Sequence, residues 1–207
     1  MNKSRLEAFS DGVFSIVITL LIFDIKVPII AKPVTDLALW TAIGGVLPLI
    51  LIYAMTFVVI ASLWINHHYL FESFARSVNR QVNLLNLLYL MFVAFIPFSA
   101  YLLGDYATSQ PAEIIYGLNI FCAVFITSTM AAYIRNHPDL HNDDLSSRII
   151  KQARVRSLVS LISYTLGLAA TFLYAPLALL FYILPVVFNI LPGSLNMAER
   201  LFRFRLD

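Results

Sequence analysis

Apolar runs about 20 residues long recur along this chain with only short polar segments between them, and this pattern constrains the fold more than any other feature. In lipid the backbone N–H and C=O groups have no water to bind, so each run must form a helix or join a closed barrel. The runs here are read as membrane helices, each needing about 20 mostly apolar residues. Hydrophobic residues make up 60% of the chain and charged residues only 13%, against about 25% charged in soluble domains. A soluble core of 207 residues cannot hide this much apolar surface, so the excess faces lipid. The expected fold class is therefore an all-α membrane protein, a single domain over residues 1–207. Cys122 is the only cysteine, which excludes an intrachain disulfide and any cysteine-rich zinc or iron–sulfur site.

Six transmembrane helices are expected, over Leu6–Pro28, Leu37–His67, Val82–Gly104, Ala112–Ile134, Arg156–Tyr174 and Pro176–Met197. The second is long enough to require tilt or extension beyond the bilayer, and Pro97 predicts a kink in the third. The longest polar connection, Arg135–Val155, contains the turn signal Asn136-His137-Pro138-Asp139. Its end, Leu145–Arg156, reads as an amphipathic lead-in at the interface. Lys3, Arg5 and the apolar stretch Val13–Phe23 resemble a secretory signal, but Asp24, Lys26 and Pro28 stand where a small-x-small cleavage site belongs. The segment is read as a retained helix.

Basic residues set the orientation. Of the 14 Lys and Arg, 12 fall in the N-terminal segment, the second-to-third and fourth-to-fifth connections and the C-terminus, and only Lys26 and Lys32 fall in the alternate loops. Both termini are therefore expected in the cytoplasm, in a multi-pass protein of the cell inner (plasma) membrane.

The first helix is the unusual one. Arg5 and Asp11 are costly if they face lipid, so they either sit in the headgroup region as anchors or turn toward protein and water. At 100° per residue, Phe9, Gly12, Ile16, Thr19, Leu20 and Phe23 fall on the stripe that begins at Arg5. Periodicity alone reads this stripe as a packing seam, with Gly12 allowing close approach. His67 and His68 read as an interfacial pair, since neighbours on a helix point apart and do not make a metal site. Asn83, Asn86, Asn119, Thr127, Ser128, Ser163, Thr165 and Asn189 read as interhelical hydrogen-bonding residues. No His-Glu-x-x-His, Gly-x-Ser-x-Gly or phosphate loop is present, which disfavours an intramembrane enzyme.

Arg5-x-x-x-Phe9-Ser10-Asp11-Gly12, opening a first membrane helix, resembles the signature of the transmembrane protein 175 family of potassium channels. Trp64-Ile65-Asn66-His67-His68 is similar to the Trp/His segment that ends the family's second helix. Length, helix count and orientation fit the prokaryotic six-helix form, so the resemblance covers nearly the whole chain. It implies a homotetramer of fourfold symmetry in the lipid bilayer, with the first helix of each subunit lining a potassium-permeable pore. It also implies a pore without a Thr-Val-Gly-Tyr-Gly filter, and this sequence has none. The constriction would be Ile16, with Leu20 and Phe23 as further layers and Thr19 as a hydroxyl beside them. Phe23 stands where the resemblance implies an aliphatic residue. Arg5, Ser10, Asp11, Trp64 and His68, flanked by Phe9 and Gly12, would form a cytoplasmic-side network tying the first helix to the second. Potassium is the permeant ion, and no cofactor, metal or nucleic-acid partner is implied. The rival reading is a secondary transporter or lipid-handling protein, for which an inverted repeat and a midplane charge would speak.

Overall fold

Local capping explains where each helix starts. In the computed structural model, which describes residues 2–107, 109–143 and 145–191, the Asn2 side chain accepts from the Ser4 N–H at 3.0 Å and opens α1, Lys3–Leu20. Thr35 caps α2, Asp36–Tyr69, through the Ala38 N–H at 3.2 Å. Asn79 caps α3, Arg80–Asp105, through the Val82 N–H at 2.9 Å. Ser146 caps α5, Ser147–Ala170, through the Ile149 N–H at 3.2 Å. Helices α4, Gln110–Arg135, and α6, Ala175–Ile190, instead carry proline in the first turn, where its missing N–H costs nothing.

These six helices form one bundle. Four have the length and composition to cross a membrane: α1 with a short 3₁₀ turn at Leu21–Asp24, α2 with a π turn at Leu70–Phe74, α3 and α4. At 1.5 Å per residue the 34 residues of α2 span about 51 Å, well beyond the ~30 Å hydrocarbon core. Its first contacts with the rest of the protomer's core come late, at Leu49, which packs on Gly104 of α3, and at Ile52, its first buried side chain. Helix α3 runs through Pro97 without a break.

Two expected boundaries move. The fifth helix starts earlier than Arg156: α5 begins at Ser147, so the expected lead-in is continuous with it and places Arg148, Lys151, Arg154 and Arg156 in its first half. Once Ser146 caps the helix, nothing between there and Arg156 breaks it. The first helix loses its α geometry after Leu20 and tightens into a 3₁₀ turn over Leu21–Asp24, and the last expected residues, Ile25 to Pro28, are not helical. The expected end of the sixth helix at Met197 lies outside the described residues.

Helix α3 lies against α1, α2 and α4, while α5 and α6 pack together against α4. Two glycines let α6 in: a Cβ on Gly117 of α4 or Gly167 of α5 would collide with the Tyr182 ring. One apolar core runs between the helices. A second, with Leu6, Phe71, Phe74, Val82, Met130, Ile134 and Leu140, sits at one end. There the α2–α3 and α4–α5 connections are joined. Arg76 N–H donates to the Leu140 carbonyl at 2.7 Å, and the Arg76 guanidinium binds Asp143 at 2.8 Å. The N-terminus, the Arg76 connection and the Arg135–Val155 connection thus share one end of the bundle, as the alternation of basic residues implies.

Candidate functional site

The site is built on α1, which presents two different faces. Leu6, Ser10, Phe14 and Val17 are buried, followed by Leu21 in the 3₁₀ turn. The opposite stripe stays exposed in the protomer: Phe9 is 55% exposed, Ile16 60%, Leu20 45% and Phe23 74%. A Cβ on Gly12 would meet no atom within 4 Å, so within the protomer Gly12 packs against nothing. Thr19 also faces outward, and its hydroxyl donates to the carbonyls of Ser15 and Ile16 at 2.9 Å each. Its one proton is therefore bound to the helix, and its oxygen lone pairs point away from it. Phe23 lies in the 3₁₀ turn, where residues advance about 120° rather than 100°. It consequently falls below Leu20 rather than below Ile16.

Toward the N-terminal end of α1 two polar groupings hold it to its neighbours. On the exposed side, Trp64 Nε1–H of α2 donates to Asp11 Oδ1 at 2.9 Å. Trp64 stacks on His68 with ring centroids 5.7 Å apart, and His68 Nε2 lies 3.3 Å from a Glu72 oxygen. This brings Asp11, Trp64 and His68 together on one face of α2, as their i and i+4 spacing requires. On the buried side, Asn86 Nδ2–H of α3 donates to Ser10 Oγ at 3.0 Å, and Ser10 Oγ–H donates to the Leu6 carbonyl at 2.9 Å. Asn86 Oδ1 is 2.8 Å from His67 Nε2. Because the amide oxygen can only accept, the imidazole carries its proton on Nε2. The chain therefore runs His67 to Asn86 to Ser10 to the Leu6 carbonyl, linking α2, α3 and α1.

Ser10 therefore does not join Trp64 and His68, as the sequence expectation had it. It lies four residues from Phe14 on the buried face, so its hydroxyl meets α3. His67, read from the sequence as part of an interfacial pair, is buried and stacked on Tyr89 with centroids 5.6 Å apart. Arg5 is exposed and has no partner among the described residues. Lys3, by contrast, donates to the Ala75 carbonyl at 2.8 Å and ties the start of α1 to the end of the π turn. Asn86, read from the sequence as an interhelical hydrogen-bonding residue, is one, bridging His67 of α2 and Ser10 of α1, whereas nothing in the pattern of apolar and polar residues pointed to the Lys3 contact. The resemblance pointed at the motif itself and not at what α3 brings to it.

Glu113 is a further surprise. It sits in the first turn of α4 and is 0% exposed, with both carboxyl oxygens unpartnered among the described residues. The Tyr182 hydroxyl of α6 donates to its backbone carbonyl at 3.1 Å. Among the described residues no three metal-ligating side chains come together.

A profile of the family described as endosomal/lysosomal potassium channel TMEM175 matches residues 5–97, the segment that holds both polar groupings and the stripe. A potassium channel of Streptomyces collinus is 36% identical over 184 residues, covering 86% of this chain and 87% of that one. The chain belongs to the TMEM175 family. Its members are ion channels rather than enzymes, and their apolar helices make them multi-pass membrane proteins. The bovine endosomal/lysosomal proton channel TMEM175 is 38% identical over 136 residues, 63% of this chain and 28% of the much longer bovine protein. The crystal structure of a lysosomal potassium-selective channel TMEM175 homolog from Chamaesiphon minutus superposes with a TM-score of 0.73 at 29% identity, covering 90% of this chain and 95% of that one. The TMEM175 fold thus extends over the described helices, beyond the two or three that carry the family signature.

Proposed function

We propose that this chain is a subunit of a potassium-permeable cation channel in which four copies set α1 around a central axis. The observation that carries the reading is the exposed stripe of α1, apolar apart from Gly12 and Thr19, beside an opposite face that is fully packed. One helix per chain cannot enclose a conduit, so copies related by closed cyclic symmetry must surround it. Residues Ile16, Thr19, Leu20 and Phe23 then form the constriction, with no carbonyl filter. An apolar neck gates by dewetting and passes an ion only when the helices part or the ion sheds part of its shell. Potassium holds its shell less strongly than sodium, so such a neck favours it. The outward lone pairs of Thr19 give a partly dehydrated cation one ring of oxygens. Arg5, Phe9, Asp11, Gly12, Trp64 and His68 lie at the cytoplasmic mouth in this arrangement. There Asp11 and Trp64 fix the tilt of α1 against α2, and the buried Ser10 fixes it against α3.

In this reading all six helices cross the plasma membrane and both termini are cytoplasmic. Single-channel recording of purified protein in planar bilayers tests the conduction. Potassium currents are expected, and a protein that assembles but carries no current in any cation would contradict the reading. Orientation is checked separately with Asp143→Cys in a Cys122→Ser background. An impermeant thiol reagent added outside intact cells should not label it, and efficient labelling would reverse the topology.

A further inference from the structure

Away from α1, a cavity of about 80 Å³ opens between α2, α5 and α6, with α3 and α4 completing its wall. One water needs roughly 10–15 Å³ of such space, so the cavity has room for a small polyatomic group. Apolar side chains make up most of its lining, and the polar ones among them include a cation. Ser62 and Asn66 of α2, Arg156, Ser157 and Ser160 of α5, and Asn189 of α6 all face it, and no lining residue is acidic. Ser62 is only 4% exposed, yet its hydroxyl has no partner among the described residues, and neither do the side chains of Asn66 and Ser157. The Arg156 guanidinium donates to the Asn189 carbonyl at 3.2 Å and meets no carboxylate among the described residues.

Asn189 adds to this. Its Nδ2 donates to Ser160 Oγ at 3.3 Å while its buried Oδ1 is unpartnered. Turning the amide over lets the Ser160 hydroxyl donate to Oδ1 and leaves the NH₂ free for another acceptor. The cavity then holds one planar cation, which meets only the Asn189 carbonyl among the described residues, and neutral donors at Ser62, Asn66, Ser157 and Asn189 that have no acceptor there. A cation held within a helical bundle calls for a counter-charge, and the guanidinium fork matches the paired oxygens of phosphate. Tyr69, Phe74 and Ala153 also line the cavity, which places it toward the end of the bundle where the basic connections gather. A basic pocket between helices at that level suits a phosphate headgroup.

We infer that this cavity is a phosphate-binding site within each subunit, centred on Arg156 and supported by Ser62, Asn66, Ser157 and Asn189. The phosphate can come from an anionic lipid of the inner leaflet or from a soluble phosphate, and the test separates these. Delipidated protein in neutral maltoside detergent is titrated with phosphatidylglycerol against phosphatidylcholine, and separately with inorganic phosphate against chloride at matched ionic strength. Thermal stability and native mass spectrometry give the readout, so the result does not depend on conduction. Saturable binding of phosphatidylglycerol alone identifies a lipid headgroup, and saturable binding of inorganic phosphate identifies a soluble source. In either case Arg156→Gln should weaken binding at least tenfold, and Arg154→Gln, exposed on the same helix and outside the cavity, should leave it unchanged. If Arg156→Gln does not assemble, Ser157→Ala decides, with a several-fold loss expected. The site is refuted if neither probe binds in preference to its control, if a well-assembled Arg156→Gln or Ser157→Ala binds as tightly as the parent, or if Arg154→Gln loses binding equally.

Discussion

On α1, Leu6, Ser10, Phe14 and Val17 turn inward and are buried, while Phe9, Gly12, Ile16, Thr19 and Leu20 turn outward and stay exposed. The inward face is explained by the protomer: Phe14 packs against His67 and Tyr89 at centroid distances of 5.9 and 6.0 Å, and Ser10 is held by Asn86. The outward face has no such explanation within one chain. It repeats at helical spacing without any helix of the chain to receive it, and in the assembly proposed above its residues answer to the central axis. The comparison teaches that one helix can be specified by two different partners, and that the two sets of substitutions should fail in different ways.

The largest contrast is expected between Phe14→Ala and Phe9→Ala. Lipid is as apolar as a phenyl ring, so the inward face is stabilised by packing more than by escape from water. Phe14→Ala leaves a cavity against two aromatic rings and should cost about 3 kcal/mol or more. Phe9→Ala, 55% exposed, should stay within about 0.5 kcal/mol for the isolated protomer. Denaturant unfolding in detergent, under conditions that dissociate the assembly, measures both. Equal losses would mean that Phe9 has a partner within the chain.

A smaller contrast separates the two cations at the start of α1. Lys3→Met removes the 2.8 Å bond to the Ala75 carbonyl and should lower protomer stability by about 1 kcal/mol. Arg5→Met removes no contact within the protomer, so it should leave protomer unfolding unchanged and alter assembly or opening instead. Protomer stability together with tetramer yield on size-exclusion chromatography tells whether both assignments hold.

The smallest effect is expected from Thr19→Val. It keeps the shape and removes a hydroxyl whose proton is already bound to the helix, so folding should be unaffected. Selectivity should shift mildly toward sodium, read as a change of a few millivolts in reversal potential under opposed potassium and sodium gradients. No shift at all would place Thr19 outside the ion path.

Much of this was legible in the sequence, for reasons that also mark where legibility stops. The apolar runs gave α2, α3 and α4 because a membrane helix is specified by length and composition. The basic residues gave which connections lie together, and the Arg76–Asp143 and Lys3–Ala75 contacts follow from that placement. The Asp11–Trp64 bond was expected from the motif. Ser10 was assigned to the wrong neighbours, because its direction depends on which side of α1 faces α3, and that is a tertiary fact. His67 and His68 are adjacent and equally polar, so only packing separates the buried one from the stacked one. Glu113 was hidden for the same reason, since its burial is set by packing and not by its place in the first turn of α4. The 3₁₀ turn at Leu21–Asp24 carries no breaker residue that would announce it.

The outward face of α1 is tested most directly by reversal potentials of Ile16→Asn beside the parent, in bilayers with opposed potassium and sodium gradients. Ile16 is 60% exposed in the protomer, so an amide there should leave folding intact. If four copies of Ile16 close the pore, the amide wets the neck. Current should then rise, and the reversal potential should move toward that of a non-selective cation pore. Ile18→Asn, half-buried against the core, should instead reduce folded yield and leave the permeation of surviving channels unaltered. An Ile16→Asn protein that assembles normally, with the parent's current and reversal potential, would contradict the assignment of this stripe to the pore.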